Sequence, residues 1–574
     1  MKSDTSIVLS QAAQQQSVDG ISTVEPTSDL ESSPKYEGHD IKEKEGESVQ
    51  SETLHELERG DSKIQENHDH DQPGVRQADA ITRTWSKTSL RVVYLFLWLT
   101  YTVNTFQSSI TGSLTAYVTS GFEEHSLIPV ISIVSNVMSV VAYMVLAKIL
   151  NLWDKSYGYL ACCVLAILGL VLSAACTEIY TYCAAQSKST IGLAYAFTAS
   201  PWVITAYAGP AISERFYDYN WRWAFGAFAI ILPFVAVPLF GLMQWHKRKA
   251  AKAGLVVKAV PDVRSWTELV WYYLIEFDVL GVFLISGGMV LFLVPFSIAT
   301  STADEWRSAS IIVMLVPGIL CLIAFTLYEK YLSPVPFVPW RLLHDRTVIT
   351  ACGLCFTWQI AYYCWASYFT SYLQVVYDLS ISEAGYISYI YNVIATIWML
   401  PTGNLIRRTG YYKWILLIGV PLYVLGEGLM IRFRQPAFGG SSFTCVEQVA
   451  VLSVGSHNDS AAMLALLGLF GYYGGAVGNS ISGAIWTNTL PKYLKEYLPE
   501  ETIDSWEDIY NDLDQQLSFP MGDPTRTAIN EAYAVAQSRM LIAGTAVMAL
   551  ALVFTLMMRN INVSKIHQVK GVLF

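Results

Sequence analysis

Charge is scarce in this chain of 574 residues. Asp, Glu, Lys and Arg supply 15% of it, 53% is hydrophobic, and the mean hydropathy is +0.36. Soluble domains run near a quarter charged, so this shortage argues for many membrane spans. A basic face is missing too. Residues 1–80 hold 18 Asp/Glu against 7 Lys/Arg, so 29 acids and 30 bases remain for the other 494. Nucleic acid is therefore excluded as a partner. Cysteine is sparse, with nine in all, and Cys162, Cys163, Cys321, Cys352, Cys355 and Cys364 lie inside apolar runs. That pattern excludes a disulfide-rich secreted domain and reads as small apolar packing residues. Cys352 and Cys355 have metal-like spacing, but no His/Cys/Asp cluster accompanies them, so neither a metal site nor a cofactor is expected. No nucleophile–base pair or phosphate loop stands out, so an enzyme is not expected. Ten-residue alternations are also missing, which excludes a transmembrane β-barrel.

The first 88 residues read as a disordered, acidic cytosolic tail, rich in Ser, Glu, Gln and Asp and poor in aromatics. No short apolar core behind a basic start marks a secretory signal, so the first membrane helix is expected to direct insertion. Lys35, Lys42 and Lys44 are either modification sites or part of a plain solvated tail. Twelve apolar stretches follow, about 91–118, 127–147, 158–176, 191–212, 222–245, 277–299, 309–328, 348–374, 384–405, 413–431, 461–486 and 540–558. Continuous runs of this length predict an all-α polytopic membrane protein.

Loop charges orient the spans. Arg83, Lys87 and Arg91 put the start of the first span inside, and Glu123, Glu124 and His125 put the next loop outside. Lys148 and Lys155 mark the following loop as inside, as do six bases in the loop 246–275. Only five spans precede that loop, and five crossings end on the wrong side. The stretch 178–190 is too short and polar to cross, and 445–454 is about half a span. Restoring one helix near 178–190 and one near 436–446 gives fourteen spans and returns the basic loop and the tail 559–574 to the inside. The segment 490–535, with ten acids and three bases, then lies outside. The body divides into helical bundles at 89–245 and 276–489 and a last span at 536–558. The sequons at Asn458 and Asn562 fall inside, where glycosylation is not expected.

The stretch Gly403-Asn404-Leu405-Ile406-Arg407-Arg408-Thr409-Gly410-Tyr411-Tyr412-Lys413 resembles the G-x-L-x-x-R-x-G-x-x-K loop of major facilitator transporters, with a weaker counterpart at 147–158. Longer stretches go further: SSITGSLTAYVTSGFEEHSL (108–127), WRWAFGAFAIILPFVAVPL (221–239), EFDVLGVFLISGGMVLFLVPFSIA (276–299), YLQVVYDLSISEAGYISYIYNV (372–393) and SHNDSAAMLALLGLFGYYGGAVGNSISGAIWTNTLPKYLKEYLP (456–499). These resemble the fungal siderophore–iron transporters, fourteen-span proton-coupled members of the major facilitator superfamily, from about residue 88 to the closing VKGVLF. The resemblance implies proton-coupled import of ferric siderophore chelates through a plasma-membrane or endosomal or vacuolar bilayer. A drug or glutathione exporter on the same scaffold, and a non-transporting relic or sensor, stay open as alternatives. Measured against the family, helices are absent after CAAQ and after RQP, which fits either a shortened protein or a gene model that dropped exon sequence.

A chelate already fills the metal's ligand sites, so its carrier needs aromatic and amide surface. On the first span Asn104, Gln107, Ser108 and Thr111 follow i, i+3, i+4, i+7 and share one face. Trp358, Gln359, Tyr362 and Tyr363 form a second polar-aromatic face, and Tyr389 with Asn392 a third. Cavity lining competes with helix–helix hydrogen bonding for the first face and with an interfacial aromatic girdle for the tyrosines. Proton coupling needs a carboxyl inside the body. Glu427, between Gly426 and Gly428 in the span 413–431, is the first candidate and Glu447 the second. Glu276 and Asp278 read as helix caps and Arg222 as an interfacial anchor. The segment 490–535 reads either as a lid or first capture surface, or as a solvated, partly helical loop.

Overall fold

The computed structural model describes residues 84–175, 201–254, 265–433 and 460–562, apart from 123, 153–154, 303 and 337–339, together with Glu447 and Ala450. The long elements are α1 (Lys87–Ser120), α2 (Ile128–Leu152), α3 (Lys155–Ala175), α4 (Trp202–Tyr219), α5 (Trp223–Lys252), α6 (Trp266–Glu276), α7 (Val279–Leu293), α8 (Ala309–Tyr331), α9 (Arg346–Ala366), α10 (Phe369–Tyr377), α11 (Ile381–Thr409), α12 (Lys413–Phe433) and α13 (Ser460–Tyr497). Two short helices, α14 (Trp506–Asn511) and α15 (Leu513–Ser518), precede α16 (Pro524–Met557). Among the described residues the only β pairing is an isolated bridge between Tyr411 and Asn562.

Local chemistry starts and stops these helices. The Ser380 hydroxyl accepts from Glu383 N at 3.3 Å while the Glu383 carboxylate accepts from Ser380 N at 3.1 Å, a capping box that opens α11. Gly410, at φ 73°, closes α11 in a left-handed conformation that costs glycine little. Asp345 caps α9 through Thr347 N at 2.6 Å, and Asp523 caps α16 through Thr525 N at 2.7 Å with Pro524 in the first turn.

Among the described residues seven helices are long and apolar enough to cross a membrane on composition: α2, α3, α5, α7 with the short turn that follows it, α8, α12 and α16. The chain is an integral multi-pass membrane protein. The long helices below that threshold, α1, α4, α9, α11 and α13, are those whose polar residues dilute the hydropathy, and they pack towards the interior. α1, α3, α4 and α5 pack together through Ile110, Leu114, Leu170, Phe225 and Phe228. α9, α12, α13 and α16 form a second bundle around Val348, Ala351, Leu354, Trp358, Leu416, Leu466 and Met548. Two helix pairs cross between the bundles, α2 against α13 and α4 against α11. α7 and α8 form a further pair that rests on α2 and, through Pro295–Ile298, on α13.

α13 approaches α9 closely because its glycines lack a side chain: a Cβ on Gly478 would lie 2.6 Å from Ile360 O. The helix ends meet in groups. Lys413 Nζ donates to Leu556 O and Met558 O at 2.8 and 2.7 Å, closing the last carbonyls of α16. Lys148 Nζ donates to Glu276 O at 2.7 Å and Val335 O at 3.4 Å. Asp278 caps α7 from a left-handed backbone, accepting from Gly281 N at 3.4 Å. Arg222 lies over Trp221 at 4.7 Å and donates to Ala174 O at 3.5 Å, where α3 ends and α5 begins.

By these contacts α3 and α4 run in the same sense, and so do α12 and α13. The two stretches from which helices are expected to be missing, near 178–190 and 436–446, lie outside the described residues, as do the tail 1–83, Asn458 and the end 563–574. The apolar run 348–374 is not one helix. It breaks at Ser367–Tyr368, where the Ser367 hydroxyl donates to Asn479 Oδ1 at 2.8 Å and Tyr368 stacks on Trp486 at 3.8 Å.

The acidic segment 490–535 is largely helical. α13 runs on through Pro491, α16 begins at Pro524, and α14–α15 form a strap between them. On one side the strap meets the first bundle: Leu513 N donates to Ser120 Oγ at 3.1 Å, Tyr217 OH to Asp514 Oδ1 at 2.9 Å, and Ser126 Oγ to Asn511 Oδ1 at 3.3 Å. On the other side Arg526, with a fully buried side chain, donates to Gln516 O, Phe519 O and Val375 O at 2.9–3.0 Å. Tyr117 OH bonds Gln374 Oε1 beneath it. The strap therefore ties both bundles together at one end.

Candidate functional site

The interior polar groups collect around α9. Trp358 and Trp365 stand two turns apart on it, on one face. Trp365 Nε1 donates to Glu427 Oε1 at 3.2 Å, and Trp358 Nε1 donates to Glu447 Oε2 at 3.3 Å. Both carboxyls are buried, Glu427 at 3% and Glu447 at 1% exposure. Tyr423, one turn before Glu427 on α12, lies near its carboxyl, and Cys355 of α9 lies near that of Glu447. The ion pairs seen among the described residues, Arg526–Asp378 and Arg559–Asp345, involve neither glutamate. A carboxyl in such surroundings is costly to keep charged, and so is suited to alternate between protonated and ionised states as access to water changes.

Tyr362 sits between the two tryptophans, with ring centroids 6.5 Å from Trp358 and 5.5 Å from Trp365, and stacks on Tyr391 of α11 at 5.5 Å. Tyr391 feels both carboxylates. Tyr363 turns to α13, where a Cβ on Gly475 would meet its ring at 3.0 Å and Asn136 of α2 at 2.9 Å. Gln359 lies along Gly471 of the same helix. The predicted trio Gln359, Tyr362 and Tyr363 thus spreads over the junction of α9 with α11 and α13.

On α1, Gln107 Nε2 donates to Thr111 Oγ1 at 2.8 Å, so these two predicted residues pair with each other. Asn104 is half-buried one turn earlier, and Asn392 is half-buried on α11 next to Tyr391. The link between these faces is Tyr389, whose hydroxyl donates to Ser109 O at 3.0 Å, with Trp202 of α4 at 6.1 Å. Tyr389 therefore ties α11 to α1, and Tyr362 joins Tyr391 to the two tryptophans that hold Glu427 and Glu447.

Sequence reasoning missed Trp365, Tyr391 and Tyr423. The signal was available for the first: Trp358 and Trp365 are seven residues apart, the spacing that stacks side chains on one helix face. Tyr391 and Tyr423 carry no such mark, since only packing between helices brings them to the carboxyls. Among the described residues no three His, Cys, Asp or Glu side chains gather as a metal-holding group. The surfaces present are aromatic, amide and hydroxyl, suited to holding a bulky polar solute by stacking and hydrogen bonds.

The pattern of the fungal trichothecene efflux pump family (TRI12) matches residues 110–465. The "MFS siderochrome iron transporter D" of Aspergillus fumigatus is 53% identical over 539 residues, covering 88% of this chain and 90% of that protein. The "Siderophore iron transporter mirB" of Emericella nidulans is 42% identical over 542 residues, covering 88% and 90%. Among solved structures, a bacterial homologue of the human lysosomal transporter Spinster, in an inward-facing and occupied conformation, is similar over 82% of this chain and 97% of its own at 14% identity and a TM-score of 0.46.

Proposed function

Because the chain belongs to the fungal siderochrome iron transporters of the major facilitator superfamily, we propose that it imports ferric siderophore chelates across a membrane by coupling their movement to protons. Close relatives named for siderophore iron support the cargo. The observation that carries the coupling is the pair of buried carboxyls, Glu427 and Glu447, each held by a tryptophan of the same helix. In this reading the chelate lies against Gln359, Tyr362 and Tyr363 on α9, Asn392 on α11 and Asn104, Gln107 and Thr111 on α1. The iron stays inside its chelate throughout. The protein contributes stacking surface and hydrogen-bond donors, and its partners are the chelate, protons and the bilayer.

Glu427 and Glu447 act as proton carriers. Protonated, each is a neutral hydrogen-bonding group that the interior tolerates. Ionised, each draws on its indole donor and on whatever water reaches it, which favours the state of the transporter that opens the site to solvent. External acid thereby loads the outward-open state, and the near-neutral inside unloads it. The membrane is a plasma membrane or an endosomal or vacuolar one, and no enzymatic step is involved.

A second reading is efflux on the same scaffold, favoured by the match of residues 110–465 to the trichothecene efflux pump family. One experiment separates the two. Expression in a yeast lacking siderophore carriers is expected to give uptake of iron-labelled hydroxamate chelates that a protonophore abolishes. Resistance to toxic compounds with no chelate uptake, the protein being verified at the membrane, would select efflux instead.

A further inference from the structure

α5 leaves the first bundle through Trp245, exposed by 55%, and then carries Lys247, Arg248, Lys249 and Lys252 with no acid between them. Arg248, Lys249 and Lys252 are exposed, and Lys249 sits 5.8 Å from the Trp245 ring. Loop charges place this end in the cytosol. His246, buried beneath the run, shares a 3.3 Å hydrogen bond with Thr84 and so fixes the end of α5 to the start of α1.

The next described element, α6, has no buried residue, and α7 is its only substantial neighbour among the described elements. Its exposed apolar residues are Trp266 (78%), Val270 (42%), Trp271 (66%) and Leu274 (41%). At 3.6 residues per turn these fall within one arc of about 140°. α6 does not continue into the span that follows, because Asp278, at φ 49° and ψ 50°, breaks the helix with a left-handed residue. One of its two acids, Glu268, is engaged in the capping box with Ser265, accepting from Ser265 N at 2.9 Å. An apolar face with tryptophans at its edges, on the next described helix after a run of bases directly cytosolic to a span, has the composition of a surface seated at the lipid headgroups.

We propose that the end of α5 and α6 form a binding surface for anionic phospholipids of the cytosolic leaflet. Trp266, Val270, Trp271 and Leu274 enter the headgroup–acyl boundary, and Lys247, Arg248, Lys249 and Lys252 contact the phosphate-bearing headgroups. The occupant is a lipid and not a protein, because the charge complements an anionic leaflet and the tryptophan-edged arc matches the depth of its interface. The surface lies away from the carboxyl pair and acts independently of the cargo.

The full-length protein is reconstituted in vesicles containing equal amounts of phosphatidylserine and phosphatidylcholine, and the spin-labelled fraction of each lipid that it immobilises is compared. We expect a preference for phosphatidylserine that weakens as salt is raised. K247Q/R248Q/K249Q/K252Q should lower that preference at least about tenfold, a factor that one or two of the four lost charges already supply at a membrane surface. K247R/K249R/K252R should keep it, and W266S/W271S should reduce it by releasing α6 from the interface. Equal immobilisation of the two lipids by the unaltered protein would overturn the proposal, whatever the variants do. So would a preference that persists undiminished in the glutamine variant.

Discussion

Replacing Glu427 by Gln tests the coupling most directly. The side chain is 3% exposed, and Trp365 Nε1 donates to its carboxylate at 3.2 Å. Gln has nearly the same volume and keeps a carbonyl oxygen for that indole, so packing should change stability by less than ~1.5 kcal/mol. What it cannot do is titrate. A pH difference of one unit is worth ~1.4 kcal/mol per proton, and 100 mV of membrane potential adds ~2.3 kcal/mol. One proton carried with a neutral chelate can therefore sustain about 500-fold accumulation, since each ~1.4 kcal/mol is tenfold. In Glu427→Gln the accumulation ratio should fall towards about one, while chelate affinity stays within about twofold because the aromatic and amide faces are untouched. The assay is uptake of iron-labelled chelate into vesicles under an imposed pH gradient, run beside equilibrium binding in detergent. If accumulation in Glu427→Gln keeps its size and its dependence on external pH, Glu427 has no part in coupling and the argument from its buried, unpaired-by-cation position fails.

Four other outcomes follow from the same geometry. Trp365→Phe removes the indole donor to Glu427 and leaves a buried acceptor short of a bond, so it should cost about 1–3 kcal/mol in thermal stability and slow uptake; Tyr362→Phe, whose hydroxyl is not part of that pair, is the control for the stability change alone. Gly478→Ala puts a Cβ 2.6 Å from Ile360 O, which should destabilise the α9–α13 contact by about 1–3 kcal/mol, read as a lower melting temperature in detergent. Arg526→Gln breaks the fully buried guanidinium that holds Gln516 O, Phe519 O and Val375 O, so the strap 506–519 should become accessible to protease from outside while the membrane body stays intact. Desolvation raises the Asp514 carboxyl above its ordinary value, an effect opposed by the hydrogen bond from Tyr217 and reinforced by Asp512. A carboxyl that binds its proton more tightly in the docked strap favours docking as pH falls through the carboxylate range. Protease resistance of the strap should therefore rise on acidification, and Asp514→Asn should flatten that response.

Several of these features could be read before any fold was known, and the reason differs from one to the next. Glu427 was legible because a lone carboxylate in an apolar span is conspicuous wherever the helix points. The same directness holds for Asp278, whose position beside an apolar run marks a cap and which does cap α7 through Gly281 N. The mismatch in crossing parity came from loop charges alone, and the two stretches on which it turns, near 178–190 and 436–446, lie outside the described residues. The face of Asn104, Gln107 and Thr111 was visible from spacing, but spacing gives a face without its neighbours, and two of the three hydrogen-bond each other.

What stayed hidden depends on contacts distant in the chain. The break at Ser367–Tyr368 has no proline or glycine to announce it; it forms where Tyr368 stacks on Trp486 and donates its hydroxyl to Ser126 O at 2.9 Å. α13 continues through Pro491 because Leu490, Leu494 and Leu498 bury their side chains against α16 and the strap, which outweighs the lost backbone donor. Hydropathy carried a different kind of information. Taken as a filter for spans it passes seven helices and omits α1, α4, α9, α11 and α13. α4 is less apolar because of Glu214, Arg215 and Asp218 near its end, the others because of their amides, hydroxyls and aromatic residues, and all seven residues assigned to the chelate lie on α1, α9 and α11. In a transporter the helices that look least like membrane spans are thus the ones to search for the cargo, whereas Glu427, proposed here as the coupling carboxyl, sits on α12, a helix apolar enough that a single charge stands out.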